Sequence, residues 1–135
     1  MIKIILIIMI ILFLTSDVFA SQEGVLTLSE FTIQSKGIGE SGLVTISGKQ
    51  NDKNEFTELT IKAFGKVYKL SEEDLKKIPE KYYNGIQLSY EAGYKELGGK
   101  TLYIVLMSGF LSGIREKTLI TITESGSIKV ETMKI

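Results

Sequence analysis

The chain has 135 residues, with 16 Lys and Arg against 16 Asp and Glu, and no His, Cys or Trp. Without cysteine there can be no disulfide, thiolate nucleophile, iron–sulfur cluster or lipid-modified N-terminal cysteine. Without histidine there is no imidazole base and no usual zinc or haem ligation. A formal charge of zero argues against a general nucleic-acid binder, which needs a basic footprint.

The first twenty residues read as a secretory signal. Lys3 supplies a positive start, residues 4–14 form an unbroken apolar run, and Val18-Phe19-Ala20 places small residues before a cleavage point at Ser21. The run falls short of the roughly 20 residues a membrane span needs, so cleavage rather than anchoring is expected. Residues 21–135 then form a single β-rich domain, long enough to bury roughly 65% of its unfolded surface without covalent staples. The short, single-lysine start has a bacterial look. It places the protein outside the cytoplasm, in a periplasm or the extracellular space.

In the remainder, apolar residues alternate with polar ones. Leu26, Leu28, Phe31 and Ile33 predict a first strand with a phase slip near Ser29-Glu30 that suggests a bulge. Residues 35–42 hold three glycines and predict a loop, followed by a strand over 43–47 and a polar turn over 48–54. Leu59, Ile61 and Ala63 alternate with Glu58, Thr60 and Lys62, the signature of a half-buried strand. The string Phe64-Gly65-Lys66-Val67 predicts a hairpin tip with Gly65 at the first turn position, leading into Tyr68 and Leu70.

One helix is well signalled. Ser71 suits the N-cap, with Asp74 three positions on and Glu72 and Glu73 at the positive end of the helix dipole. Leu70 and Leu75 can staple its start, and Pro79 stops it after about two turns. Beyond it come a turn at Asn84-Gly85, a strand through Ile86, Leu88 and Tyr90, and a glycine-bearing loop over 92–100. Residues 101–107 are apolar enough to predict a central strand buried on both faces. A turn over 108–113 leads to a final hairpin, with Thr118, Ile120 and Ile122 on one strand and Ile128, Val130 and Thr132 on the other, joined at 124–127. The fold class is therefore all-β and mainly antiparallel: a small β-sandwich or barrel of about eight strands with one short helix. Glu-Ser-Gly occurs at both 40–42 and 124–126, which reads as recurring turn chemistry.

The chemical motifs are weak. Glu96-Leu97-Gly98-Gly99-Lys100-Thr101 ends like a phosphate-binding loop, but Tyr94 stands where the motif needs glycine, and a strand pattern follows instead of a helix. There is no G-x-S-x-G elbow and no S-x-x-K. Glu72, Glu73 and Asp74 suit helix capping and do not match a calcium loop. No catalytic, cofactor-binding or metal-binding residue is therefore assigned, and no cofactor is expected.

Tyrosine distribution is the feature that stands out. Tyr82, Tyr83, Tyr90 and Tyr94 lie close together in sequence, interleaved with Asn84, Gly85, Glu91 and Gly93. Tyrosine offers a rigid apolar face with a polar tip, which suits binding surfaces. Alternation assigns Tyr90 to the core with Ile86 and Leu88, leaving Tyr82, Tyr83, Asn84, Glu91 and Tyr94 as the candidate partner-binding residues. Tyr83 and Tyr94 are the strongest surface candidates. The resulting expectation is an exported, non-enzymatic binding module that recognises a protein or glycan partner in the cell envelope through end loops, as inhibitors and immunity proteins of this size do. It binds no nucleic acid and is not inserted in the membrane once the signal is removed. A structural or envelope-assembly component and a small carboxylate-dependent hydrolase are the alternatives.

Overall fold

The structure, a computed structural model, is described for residues 24–94, 96, 98–110 and 113–134. The expected signal and its cleavage site lie outside them. Among the described residues, two four-stranded antiparallel meanders stack into a β-sandwich. The first comprises β1 (Glu30–Gln34), β2 (Thr45–Gln50), β3 (Phe56–Ala63) and β4 (Lys66–Lys69); the second comprises β5 (Gly85–Glu91), β6 (Thr101–Phe110), β7 (Gly113–Thr123) and β8 (Ile128–Lys134). A helix, α1 (Glu72–Lys76), lies on the connection between them, and residues Gly39–Ser41 form a 3-10 turn between β1 and β2.

Each sheet turns one apolar row inward. Ile46 of β2 and Leu59, Ile61 and Ala63 of β3 face Leu102, Ile104 and Leu106 of β6 and Ile120 and Ile122 of β7, all essentially without solvent contact. Ile38 in the first loop, and Leu70, Ile78 and Tyr83 around the helix, complete the core. Three bonds between the sheets show how they stack. The Leu28 amide, just before β1, donates to the Tyr83 carbonyl, just before β5. Lys100, before β6, donates to Ser41, before β2, and Lys66 of β4 donates to the Glu124 carbonyl, before β8. Each strand of the first sheet thus lies over its counterpart in the second, with β1 and β5 on one side and β4 and β8 on the other.

Several local expectations are corrected. The first strand begins only at Glu30, and Leu26 is 86% exposed rather than paired. β2 runs on through Gly48, Lys49 and Gln50, so the turn is shorter than composition suggests. At the β3–β4 tip the two turn residues are Phe64 and Gly65, with φ of 53° and 68°. Both left-handed positions match the twist of a two-residue hairpin, placing Gly65 second, not first. Gly85 does not turn the chain but starts β5. β6 is central but not buried on both faces: Leu102, Ile104, Leu106 and Ser108 point inward while Tyr103, Val105 and Met107 are half-buried on the outer face. It also continues past a bulge at Ser108/Gly109 to Phe110. The two Glu-Ser-Gly strings precede β2 and β8, which are not counterparts, so they are recurring turn chemistry.

The helix matches its signals but is a single short turn. Ser71 Oγ accepts from the Asp74 amide at 3.2 Å, and Lys77 Nζ donates to Asp74 Oδ1 at 2.9 Å, which holds the Asp74 carboxyl below its ordinary pKa. Leu70 and Ile78 are buried on either side of it, so packing rather than propensity retains so short a helix.

Candidate functional site

The up-and-down strands send alternate connections to opposite ends of the sandwich. The helix end gathers residues 24–28, the β2–β3 turn, α1 and residues 77–84, and the Phe110 and Gly113 ends of β6 and β7. The loop end gathers the β1–β2 loop, the β3–β4 tip, the β5–β6 loop and the β7–β8 turn. Tyr82, Tyr83 and Asn84 sit before β5 at the helix end, whereas Glu91 and Tyr94 lie at its far end. Six strand residues separate Asn84 from Glu91, a distance of about 20 Å or slightly more at strand rise. Neighbours in sequence, they do not form one site.

Tyr83 is a core residue, 1% exposed, which corrects its assignment to the surface. Its ring packs on Phe56 at 5.5 Å, and its hydroxyl lies 3.1 Å from both the Pro79 carbonyl and Thr118 Oγ1. Burial raises the hydroxyl pKa. Asn84 is spent on structure: its Nδ2 donates to the Gly109 carbonyl at 2.6 Å and its Oδ1 accepts from the Gly109 amide at 3.2 Å, bracing the β6 bulge. Tyr82 is half-buried, edge-on to Phe110 at 5.6 Å. Conversely Tyr90, expected in the core, is 51% exposed because the apolar row of an edge strand runs off the sheet near the rim.

At the loop end the surface is tied together by bonds between connections. Lys100 Nζ donates to Ser41 Oγ at 2.6 Å, the Lys100 amide donates to Glu124 Oε2 at 3.0 Å, and Lys66 Nζ donates to the Glu124 carbonyl at 3.1 Å. The β5–β6 loop is pinched at its neck, where a Cβ on Gly93 would lie 2.1 Å from the Gly99 carbonyl oxygen, so only glycine fits. From this braced platform Tyr94 projects, 78% exposed, with Leu43 at 54%. Glu91 accepts from the Tyr103 hydroxyl at 2.8 Å, which raises the Tyr103 pKa. Lys100, the lysine of the phosphate-loop look-alike, is engaged with Ser41, and β6 rather than a helix follows it.

Two grooves mark the helix end. An open one of about 710 Å³ lies between residues 24–28 and the start of the second sheet, lined by Leu26, Asn84, Gly85, Met107 and Phe110 among others. A second, of about 490 Å³, runs between α1 and the β2–β3 turn and contains Glu55, Glu72 and Glu80. The Glu55 and Glu80 carboxyls lie within hydrogen-bonding reach of each other, which raises the Glu80 pKa; Glu55, bonded to Asn51 Nδ2 at 2.8 Å, is held low. That spacing is tighter than the roughly 5 Å or more between the two carboxyls of a glycosidase. No group of three or more potential ligands among the described residues could hold a metal ion, and no described helix is long and apolar enough to cross a membrane.

Gln50 was hidden in what composition reads as a turn. Its Oε1 accepts from Thr27 Oγ1, and its Nε2 donates to the Asn54 and Lys81 carbonyls, joining three segments at the helix end. Nothing local in the sequence marks it. Compared with known proteins, the chain matches no family model, no curated protein and no solved structure.

Proposed function

We propose that the protein is an exported, non-enzymatic binding module that takes a protein or glycan partner on the loop end of its sandwich. The observation that carries this reading is the convergence of four connections, cross-braced through Lys100, Lys66 and Glu124, beneath the outward-projecting Tyr94 and Leu43. A rigid aromatic on a preorganised loop platform loses little entropy on binding. Tyrosine in particular supplies a rigid, amphipathic contact area of the kind binding loops use. The secretory reading of residues 1–20 supplies the address, and the partner is sought in the cell envelope.

The test is capture of envelope proteins and glycans by residues 21–135, compared with a Leu43→Ala/Tyr94→Ala double variant. The double variant is expected to keep its thermal midpoint and lose the partner. Tyr82→Ala, at the opposite end, is expected to retain it. Undiminished binding by the double variant would remove the loop end from consideration.

A further inference from the structure

The four sheet edges are unequal. β4 is four residues long and carries Lys66 and Lys69, β8 carries the exposed Lys129 and Glu131, and β1 is five residues long and opens with the exposed Glu30. Short length and edge charges are the usual means of discouraging strand addition. β5 has neither. It offers seven residues, Gly-Ile-Gln-Leu-Ser-Tyr-Glu, with no lysine, no proline and no charge before Glu91.

The direction of its backbone groups follows from the register. The Glu124 amide donates to the Lys100 carbonyl in register with β6 and β7, so by alternation Leu102, Ile104 and Leu106 bond toward β7 and Thr101, Tyr103, Val105 and Met107 toward β5. Their β5 partners Glu91, Ser89, Gln87 and Gly85 are therefore spent on β6, and Ile86, Leu88 and Tyr90 present their amides and carbonyls to the open side. Among the described residues no backbone bond meets them there. Before the strand, the Tyr83 carbonyl accepts from the Leu28 amide. The chain's own residues 27–28 therefore cover this edge only up to Tyr83.

We propose that this protein self-associates by antiparallel pairing of β5 with β5 of a second copy, about a two-fold axis at Leu88. This is independent of the loop-end reading. In that register the whole strand is paired, with Leu88 exchanging both backbone bonds with its own equivalent and Ile86 bonding to Tyr90 of the second copy. Half-buried Ile86 meets exposed Tyr90 of the second copy, Leu88 meets its own equivalent, and Glu91 faces Gly85, so no like charges oppose one another. The register thus covers the apolar row that runs off the rim, Tyr90 included, and cross-strand aromatic–aliphatic pairs of this kind are stabilising. Two four-stranded sheets become one of eight strands, an isologous contact that closes without leaving a further β5 edge.

The test is sedimentation of residues 21–135 across a concentration series, with Tyr90→Pro alongside. Proline at 90 removes an outward amide that β6 does not use, so the variant is expected to keep its far-ultraviolet spectrum and become monomeric. In a chain with no native cysteine, Leu88→Cys is expected to give a disulfide-linked dimer on oxidation, because its partner residue lies about 5.5 Å away between Cα atoms in a hydrogen-bonded pair, within disulfide reach. Gln87→Cys, whose neighbour across the axis is Ser89, is expected to cross-link far less. A wild-type chain that remains monomeric at every concentration overturns the proposal. So does a dimer that survives Tyr90→Pro while Leu88→Cys fails to cross-link.

Discussion

Two tyrosines with similar burial make opposite demands on their hydroxyls. Tyr83 shares its hydroxyl between Pro79 and Thr118, so Tyr83→Phe leaves Thr118 Oγ1 buried with its partner gone. The expected cost is about 1–3 kcal/mol in chemical denaturation. Tyr68, 8% exposed, has a hydroxyl with no partner among the described residues, and burial with the nearby Glu124 charge raises its pKa. Tyr68→Phe is expected to be neutral or slightly stabilising by the same measurement, since it removes an unsatisfied polar atom and preserves the ring. A loss comparable to that of Tyr83→Phe would show that the Tyr68 hydroxyl is satisfied after all.

At the scale of the element, α1 depends on its cap. Ser71→Ala removes the acceptor for the Asp74 amide, and the expected loss is about 1 kcal/mol. Because the folded Asp74 pKa is depressed, its contribution is present above the ordinary aspartate pKa and lost as pH falls through the folded value. Asp74→Asn should therefore flatten the acid limb of the stability–pH curve. Glu80 runs the other way. Its folded pKa is raised by Glu55, so its contribution is present in acid and lost as pH rises through the folded value, leaving repulsion at neutral pH. Glu80→Gln is expected to raise the thermal midpoint at neutral pH and to have no such effect in acid. A midpoint lowered at pH 7 would show that the pair is held by something other than a shared proton.

For the whole molecule, neither sheet has a core of its own. The inner rows of β2–β3 and β6–β7 cover each other, and Tyr83, which leads into the second sheet, packs on Phe56 of the first. The two meanders are therefore expected to unfold together, with far-ultraviolet circular dichroism and tyrosine fluorescence following coincident curves. A separated transition for either probe would mean that one meander stands alone.

Alternation of apolar and polar residues determined the strands, the capping residues determined α1, and the glycine and Ser-Gly strings marked most of the turns, because these signals act within a few residues. The all-β class with its lone helix follows from them directly, whereas the choice of two stacked sheets over a closed barrel does not. What only the tertiary structure decided is where sequence neighbours end up. The tyrosine cluster read as one surface because its members are close in the chain, yet β5 carries Tyr82, Tyr83 and Asn84 to one end and Glu91 and Tyr94 to the other. Tyr83 was drawn inward by Phe56 and Thr118, which are remote in sequence, and Tyr90 was left outside because β5 is an edge. Edge position, strand stacking and the bracing of loops by Lys100 and Glu124 all depend on long-range pairing, and no local pattern of residue types encodes which strand will lack a neighbour.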